Sequence, residues 1–301
     1  MKAKTANNIA TVVLYILSGV IVAILAFLLI YILVTGLPYV SWTFLTTPDN
    51  FFTGGGIATQ LFTSLYMLVL TLVISIPLSL GAGIYLAEYA NQKHWLTGLV
   101  RSAIELLSSL PSIVVGLFGM ILFVQQLKIG GGGPSILSGA LALTVFNLPL
   151  MTRNVEEALR AVPNIQREGG YALGLSKWET ATRVILPAAI PGIITGVILS
   201  AGRVFGEAAA LIFTAGTSNA NINWADWNPM SLTSPISLFR PGETLAVHIW
   251  AIHTTPPAAG LTAANHISAG ASAVLIIIVF IFNISARFFG GRIHKRLTAG
   301  N

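Results

Sequence analysis

Residues able to do chemistry are few in this chain, and two groups have spacings that limit what they can do. Arg203 and Glu207 stand four apart inside an otherwise apolar run. That spacing puts both on one face of a helix, where they can neutralise each other. An ionisable side chain at membrane depth costs about 2.5–3.5 kcal/mol on insertion scales, and pairing lowers the cost. The pair can lock helices together, or line a path along which Arg203 attracts an anion; the two readings are compatible. Gly202 and Gly206 flank it and let another helix or a solute come close.

The second group is Glu168–Pro187, EGGYALGLSKWETATRVILP, a polar stretch between two long apolar segments. Asn164 after Pro163 can cap a short helix, and Gly174 sits where that helix would end in a left-handed turn. Ser176 with Glu179 forms a capping box that opens a second helix, and Pro187 interrupts that helix as apolar character returns. The spacing predicts two short helices at an angle, held at a membrane surface. Gly169 and Gly170 should soften the first by about 1 kcal/mol each relative to alanine. Tyr171, Leu173 and Trp178 offer apolar anchors and Glu168 a charge, so this elbow is where a partner protein would push.

Other chemistries lack their residues. No G-x-x-x-x-G-K-[ST] is present to cradle a nucleotide. No H-E-x-x-H occurs, and His248, His253 and His266 lack metal-ligand spacing with acidic partners; they read as loop or interface residues. There is no cysteine, hence no disulfide or thiolate site. The expectation is a chain that is not an enzyme and binds no cofactor of its own. Glu105 and Arg153 are placed to snorkel from span ends. Asn147, Ser108 and Ser109 can satisfy carbonyls freed by Pro149 and Pro111.

The elements that must position these groups follow from composition. Of 301 residues 54% are apolar and 9% charged, whereas soluble domains carry about 25% charged residues. The fold class is all-α, a polytopic helical membrane protein. Six spans of about 20 residues are expected, at 9–34, 61–86, 104–123, 136–150, 190–213 and 268–289. The first is too long for a cleaved signal peptide. Gly130–Gly133 with Pro134 forms a turn. Residues 36–60 form an interfacial loop with Trp42, Phe51 and Phe52, and 215–266 a long loop rich in tryptophan and proline. The division expected is 1–60, a first helix and extracytoplasmic loop; 61–289, a permease core with a cytoplasmic loop at 154–188; and 290–301, a cytoplasmic tail. Lys2, Lys4, Lys93, Arg101, the Arg153–Arg183 segment and the tail from Arg287 fall on one side, against Lys128 and Arg240 on the other. The positive-inside rule then puts both termini and the elbow in the cytoplasm. The net charge of +6 thus reflects topology in a lipid bilayer rather than nucleic-acid binding.

The elbow resembles the cytoplasmic motif of bacterial ABC importer permeases: E-A-A, three residues, G, nine residues, I-x-L-P. Glu168, Gly169, Gly170 and Gly174 match its first part, with glycines for the alanines, and Val184, Ile185, Leu186 and Pro187 its last. Four further stretches, GIYLAEYA (83–90), LPSIVVGLFG (110–119), TRNVEEALRAVP (152–163) and PGETLAVHIW (241–250), are similar to the phosphate-specific permeases of the PstA type. In RVFGEAAALIFTA (203–215) that branch usually shows G-E-T-A-P where this chain has Gly206-Glu207-Ala208-Ala209-Ala210. The resemblance implies a type I importer permease in a plasma (inner) membrane, with one outer helix and a five-helix core. It implies a PstC-like second permease, two PstB-like ATPase subunits carrying ATP and Mg, and a PstS-like phosphate-binding protein. Glu168, Gly169, Gly170, Tyr171, Gly174, Trp178 and Pro187 would couple to the ATPase, and Arg203 and Glu207 would line the path. The rivals are a permease for sulfate, molybdate or phosphonate, a stand-alone secondary transporter or channel, and a membrane regulator that senses phosphate without moving it.

Overall fold

Apolar runs become helices here because hydrocarbon offers no partner for backbone polar groups, and a helix satisfies them within one segment. The computed structural model describes residues 2–50, 54–91, 93–218, 222–257 and 260–298. The elements are α1 (Lys2–Gly36), α2 (Trp42–Thr46), a two-stranded hairpin of β1 (Asp49–Asn50) and β2 (Gly54–Gly55), α3 (Ala58–Ile84), α4 (Trp95–Ser109), α5 (Ser112–Gly119), α6 (Ile136–Arg160), α7 (Asn164–Ala172), α8 (Lys177–Glu179), α9 (Leu186–Gly206), α10 (Ala209–Thr214), α11 (Leu245–Thr254) and α12 (Leu261–Thr298). Wide π-helical turns prolong α3 (Tyr85–Tyr89) and α5 (Met120–Gln126) and join α8 to α9 (Thr180–Ile185). Phe51 and Phe52 lie outside the described residues.

Among the described residues five helices are long and apolar enough to cross a membrane, and the sixth expected span is a bent pair. The run expected at 104–123 is not one helix: 95–109 and 112–126 meet at 100°. Pro111 lacks an N–H and disfavours α conformation in the residue before it, and Leu110 is accordingly extended (φ −63, ψ 137). Ser108 and Ser109 close the broken end by donating to the carbonyls of Glu105 and Leu106, both at 2.8 Å.

Other boundaries move outward. The span expected to end near Leu150 carries Pro149 inside α6 and continues to Arg160. Its last turns are charged but paired, Arg160 and Arg101 to Glu156 at 2.9 and 2.8 Å, Arg153 to Glu157 at 2.9 Å and to Glu105 at 3.5 Å. Glu105 and Arg153, expected to snorkel from span ends, thus also meet each other across α4 and α6, with side chains 69% and 50% exposed. α12 begins at Leu261 and takes in the tail up to Thr298. The long loop expected at 215–266 contains a largely buried helix, α11, whose Leu245 and Ile252 pack with Ile57, Ala264 and Ala271. α6 lies between α3 and α9, with α12 against α9. Met67, Leu143, Val204, Phe205 and Leu211 fill the middle, and Val155, Leu159, Ile185 and Ile193 the elbow end.

Candidate functional site: an elbow and a broken charged helix

The elbow forms as its spacing requires, with two corrections. Gly174 has φ +79, a left-handed position that costs other residues about 1–2 kcal/mol. Around it the N–H groups of Gly174 and Leu175 donate to the carbonyls of Tyr171 and Gly170 at 3.0 and 3.1 Å. The capping box is complete: the Glu179 N–H donates to Ser176 Oγ at 3.3 Å, and the Ser176 N–H to Glu179 Oε2 at 3.0 Å. Ser176→Ala should weaken this helix start by about 1 kcal/mol. Amide exchange at residues 177–180 is then expected to quicken about fivefold; an unchanged rate would show that the box contributes nothing.

The first correction concerns Asn164, which is the first residue of α7 and makes no cap; its side chain accepts from Arg167 Nη1 at 3.2 Å. The second concerns Pro187. It does not interrupt the helix, which runs from Lys177 to Gly206. An α-helical proline ring clashes with the carbonyl four residues back, here that of Arg183, and the wide turn Thr180–Ile185 makes the room. A push on Trp178 therefore acts on one continuous rod.

Glu168 is exposed, as are Tyr171 (45%), Leu173 (83%) and Trp178 (59%), so the apolar anchors stand clear of the chain's own core. Gly170 faces inward: a Cβ there would lie 2.7 Å from Thr180 Cγ2, which sets α7 flush on the wide turn, while Gly169 faces open space. Packing thus offsets, at Gly170, the weak helix propensity of the glycine pair.

Arg203 and Glu207 are not an ion pair. α9 ends at Gly206, and Glu207 is extended (φ −78, ψ 119), so the four-residue spacing no longer brings the side chains together. The Glu207 carboxylate instead accepts the Ala210 N–H at 3.1 Å, stabilising the start of α10. The Arg203 guanidinium lies 3.8 Å from the centroid of the Phe146 ring. Among the described residues no carboxylate pairs with the guanidinium, and the ring is its close partner. A Cβ added at Gly202 or Gly206 would meet nothing within 4 Å among the described residues, so there is space beside Arg203 at these two positions. Asn147, next to Phe146, does not serve the Pro149 turn: it is fully buried, and neither side-chain atom has a partner among the described residues.

At the end away from the elbow a buried polar cluster appears that spacing alone did not reveal. The His248 ring and the Gln60 amide both meet Glu243 Oε2, each at 3.1 Å. His248 thus does have an acidic partner, while His253 bonds Ser268 at 3.0 Å and His266 stacks on Tyr39. Arg240 is fully buried and donates to the carbonyls of Pro241 and Pro235 at 3.1 and 3.3 Å. Burial lowers its pKa to about 10, so it stays charged at neutral pH. A cavity of about 490 Å³ beside this cluster is lined by Asn50, Glu243, His248 and Thr254, among others. Arg167, next to Glu168, was also missed; its acidic partner is 79 residues away, beyond any local pattern.

Comparison with known proteins follows the same lines. Residues 79–299 match the family model described as "Binding-protein-dependent transport system inner membrane component". The chain is 49% identical over 301 residues to the probable ABC transporter permease protein YqgI of Bacillus subtilis, covering 99% of this chain and 100% of that protein. It is 36% identical to the phosphate transport system permease protein PstA of Yersinia pestis over 69% of this chain and 68% of that one. With PstA 1 of Mycobacterium tuberculosis (strain ATCC 25618 / H37Rv) the identity is 33%, over 79% of this chain and 70% of that one. An inward-facing structure of the MetNI methionine ABC transporter shares the fold at 19% identity, with a TM-score of 0.52 over 80% of this chain and 94% of that one.

Proposed function

The chain belongs to the family of binding-protein-dependent transport system inner membrane components, and on that premise we propose that it is the permease subunit of an ATP-driven phosphate importer. The observation that carries the reading is the elbow, a capped helix pair whose apolar side chains Tyr171, Leu173 and Trp178 are exposed. No nucleotide-cradling loop accompanies it, so energy enters from a docked ATPase that holds ATP and Mg. Glu168, Gly169, Tyr171, Leu173 and Trp178 form the face of the dock on the cytoplasmic side, Gly170 and Gly174 give it its shape, and both termini share that side. Pro187 lies within the helix that carries movement inward. A homologous second permease completes the path, and a phosphate-binding protein delivers the solute from outside.

The phosphate reading rests on the relatives named PstA and on Arg203, a cation with no carboxylate partner among the described residues. Glu207 serves the path indirectly, by holding α10 where α9 breaks. Arg203 would attract any small oxyanion, so the alternative is an importer of sulfate, molybdate or phosphonate. Uptake in vesicles holding the full complex, with each anion competing against phosphate, separates the two; phosphate outcompeted by another anion would displace the phosphate reading.

Docking is tested through Leu173. Leu173→Asp leaves the fold unstrained because the side chain is 83% exposed, yet it sets a charge in an apolar contact. Truncated anchors of this kind cost 2 kcal/mol or more, about thirtyfold in affinity. The ATPase should be lost on co-purification while the second permease is retained. Undiminished ATPase recovery from this variant would remove the elbow as the dock.

A further inference from the structure

The elbow has an attachment to α3 that its own sequence does not announce. The Arg167 guanidinium meets Glu88 on the wide turn Tyr85–Tyr89, with Nη2 and Nε donating to Oε1 at 2.9 and 3.1 Å. It also donates to the carbonyls of Leu159 and Val162 at the end of α6, both at 2.7 Å. The Arg167 side chain is only 15% exposed and that of Glu88 6%. Lys177, on the elbow's other arm, lies over the neighbouring Tyr89 ring at 4.9 Å. Both arms grip the same end of α3.

α3 spans 27 residues, about 40 Å, and its far end is held by polar contacts as directional as those at the elbow. Gln60 bonds Glu243 at 3.1 Å, the Leu245 N–H donates to Ser64 Oγ at 2.7 Å, and the Tyr66 hydroxyl donates to the Ile236 carbonyl at 2.8 Å. A buried ion pair is weak evidence for stability, because apolar residues of similar size hold a contact as well. What the Arg167 fork adds is a fixed orientation of α7 against α3.

We infer that Arg167 and Glu88 are a positioning pair that passes movement of the elbow to α3, and through α3 to the 222–257 segment at its other end. This rests on reading the elbow as the ATPase dock. Coupling between sites is reciprocal, so a pair that carries elbow movement outward also carries part of the effect of binding-protein arrival back to the ATPase.

The readout is ATP hydrolysis by the complete complex in proteoliposomes, with and without saturating binding protein. Arg167→Gln and Glu88→Gln are each expected to lower the stimulation by about tenfold, with ATPase content and basal hydrolysis as in the unaltered complex. Arg167→Lys, which keeps the charge but not the fork, should fall between. Unaltered stimulation in both variants overturns the proposal, as does failure of both to assemble, which would make the pair a static anchor. If Arg167→Gln alone fails to assemble, Glu88→Gln decides, since it leaves the bonds to α6 intact: reduced stimulation supports the pair and full stimulation refutes it. An unaltered complex that retains no ATPase overturns the docking reading and this proposal together.

Discussion

Arg203→Gln is expected to lower solute uptake by the assembled complex by one to two orders of magnitude while leaving its yield unchanged. A hydrogen bond to a charged group contributes about 1.5–3 kcal/mol, which corresponds to about 10- to 150-fold in rate. The expectation depends on where the guanidinium sits. Had it been paired with Glu207, its removal would have left a buried carboxylate uncompensated and the protein destabilised. Glu207 is instead engaged with the Ala210 N–H at 3.1 Å, and Arg203 rests on Phe146. Removal of the charge therefore costs the fold little and the path much. Arg203→Lys should recover part of the uptake, since it restores the charge without the planar fork. Initial rates of labelled phosphate uptake, normalised to complex recovered, are the measurement; a rate within twofold of the unaltered protein would remove Arg203 from the path.

Gly116→Val should prevent a stable fold altogether. A Cβ at Gly116 would stand 2.6 Å from Ala210 Cα, 3.1 Å from the Ala210 carbonyl oxygen and 3.2 Å from that of Ala209. All three are backbone atoms, so no side chain can rotate away. Overpacking a filled interior costs about 1–3 kcal/mol even where side chains can shift, and native stability is only about 5–15 kcal/mol. The contact joins the helix after the Pro111 bend to the one after the Glu207 break, so displacement would also disturb the Glu207 cap. Yield and monodispersity in detergent are expected to collapse for Gly116→Val and to fall less for Gly116→Ala. A normal yield of the valine variant would show that the two broken helices are not in register contact.

Much of the architecture was legible because it depends on local quantities. Helix content follows from apolar runs, the Gly174 turn from a backbone position that suits glycine, and the start at Ser176 from two residues three apart. The misplacements share one cause. Pro187 reads as an interruption and the span holding Pro149 as ending near Leu150, yet both prolines lie in continuous helices, because neighbouring helices or a wide turn can absorb a proline. Pro111, read as part of a span, stands at the 100° bend. Local sequence marks all three as prolines and says nothing of what packs beside each.

The site divides in the same way. By itself the sequence determined that the elbow is polar, capped and glycine-turned, that charge is scarce in the apolar runs, and that Arg203 and Glu207 lie in one of them. Those properties depend on residues within about one helical turn of each other. Only the tertiary structure decided that Arg203 and Glu207 are parted by a helix break, that Arg167 reaches Glu88, and that Gln60 joins Glu243 and His248 in one buried cluster. These contacts join residues 79 to 188 positions apart, or depend on a break set by packing. Their energies belong to pairs of elements, and no single segment of chain contains both partners.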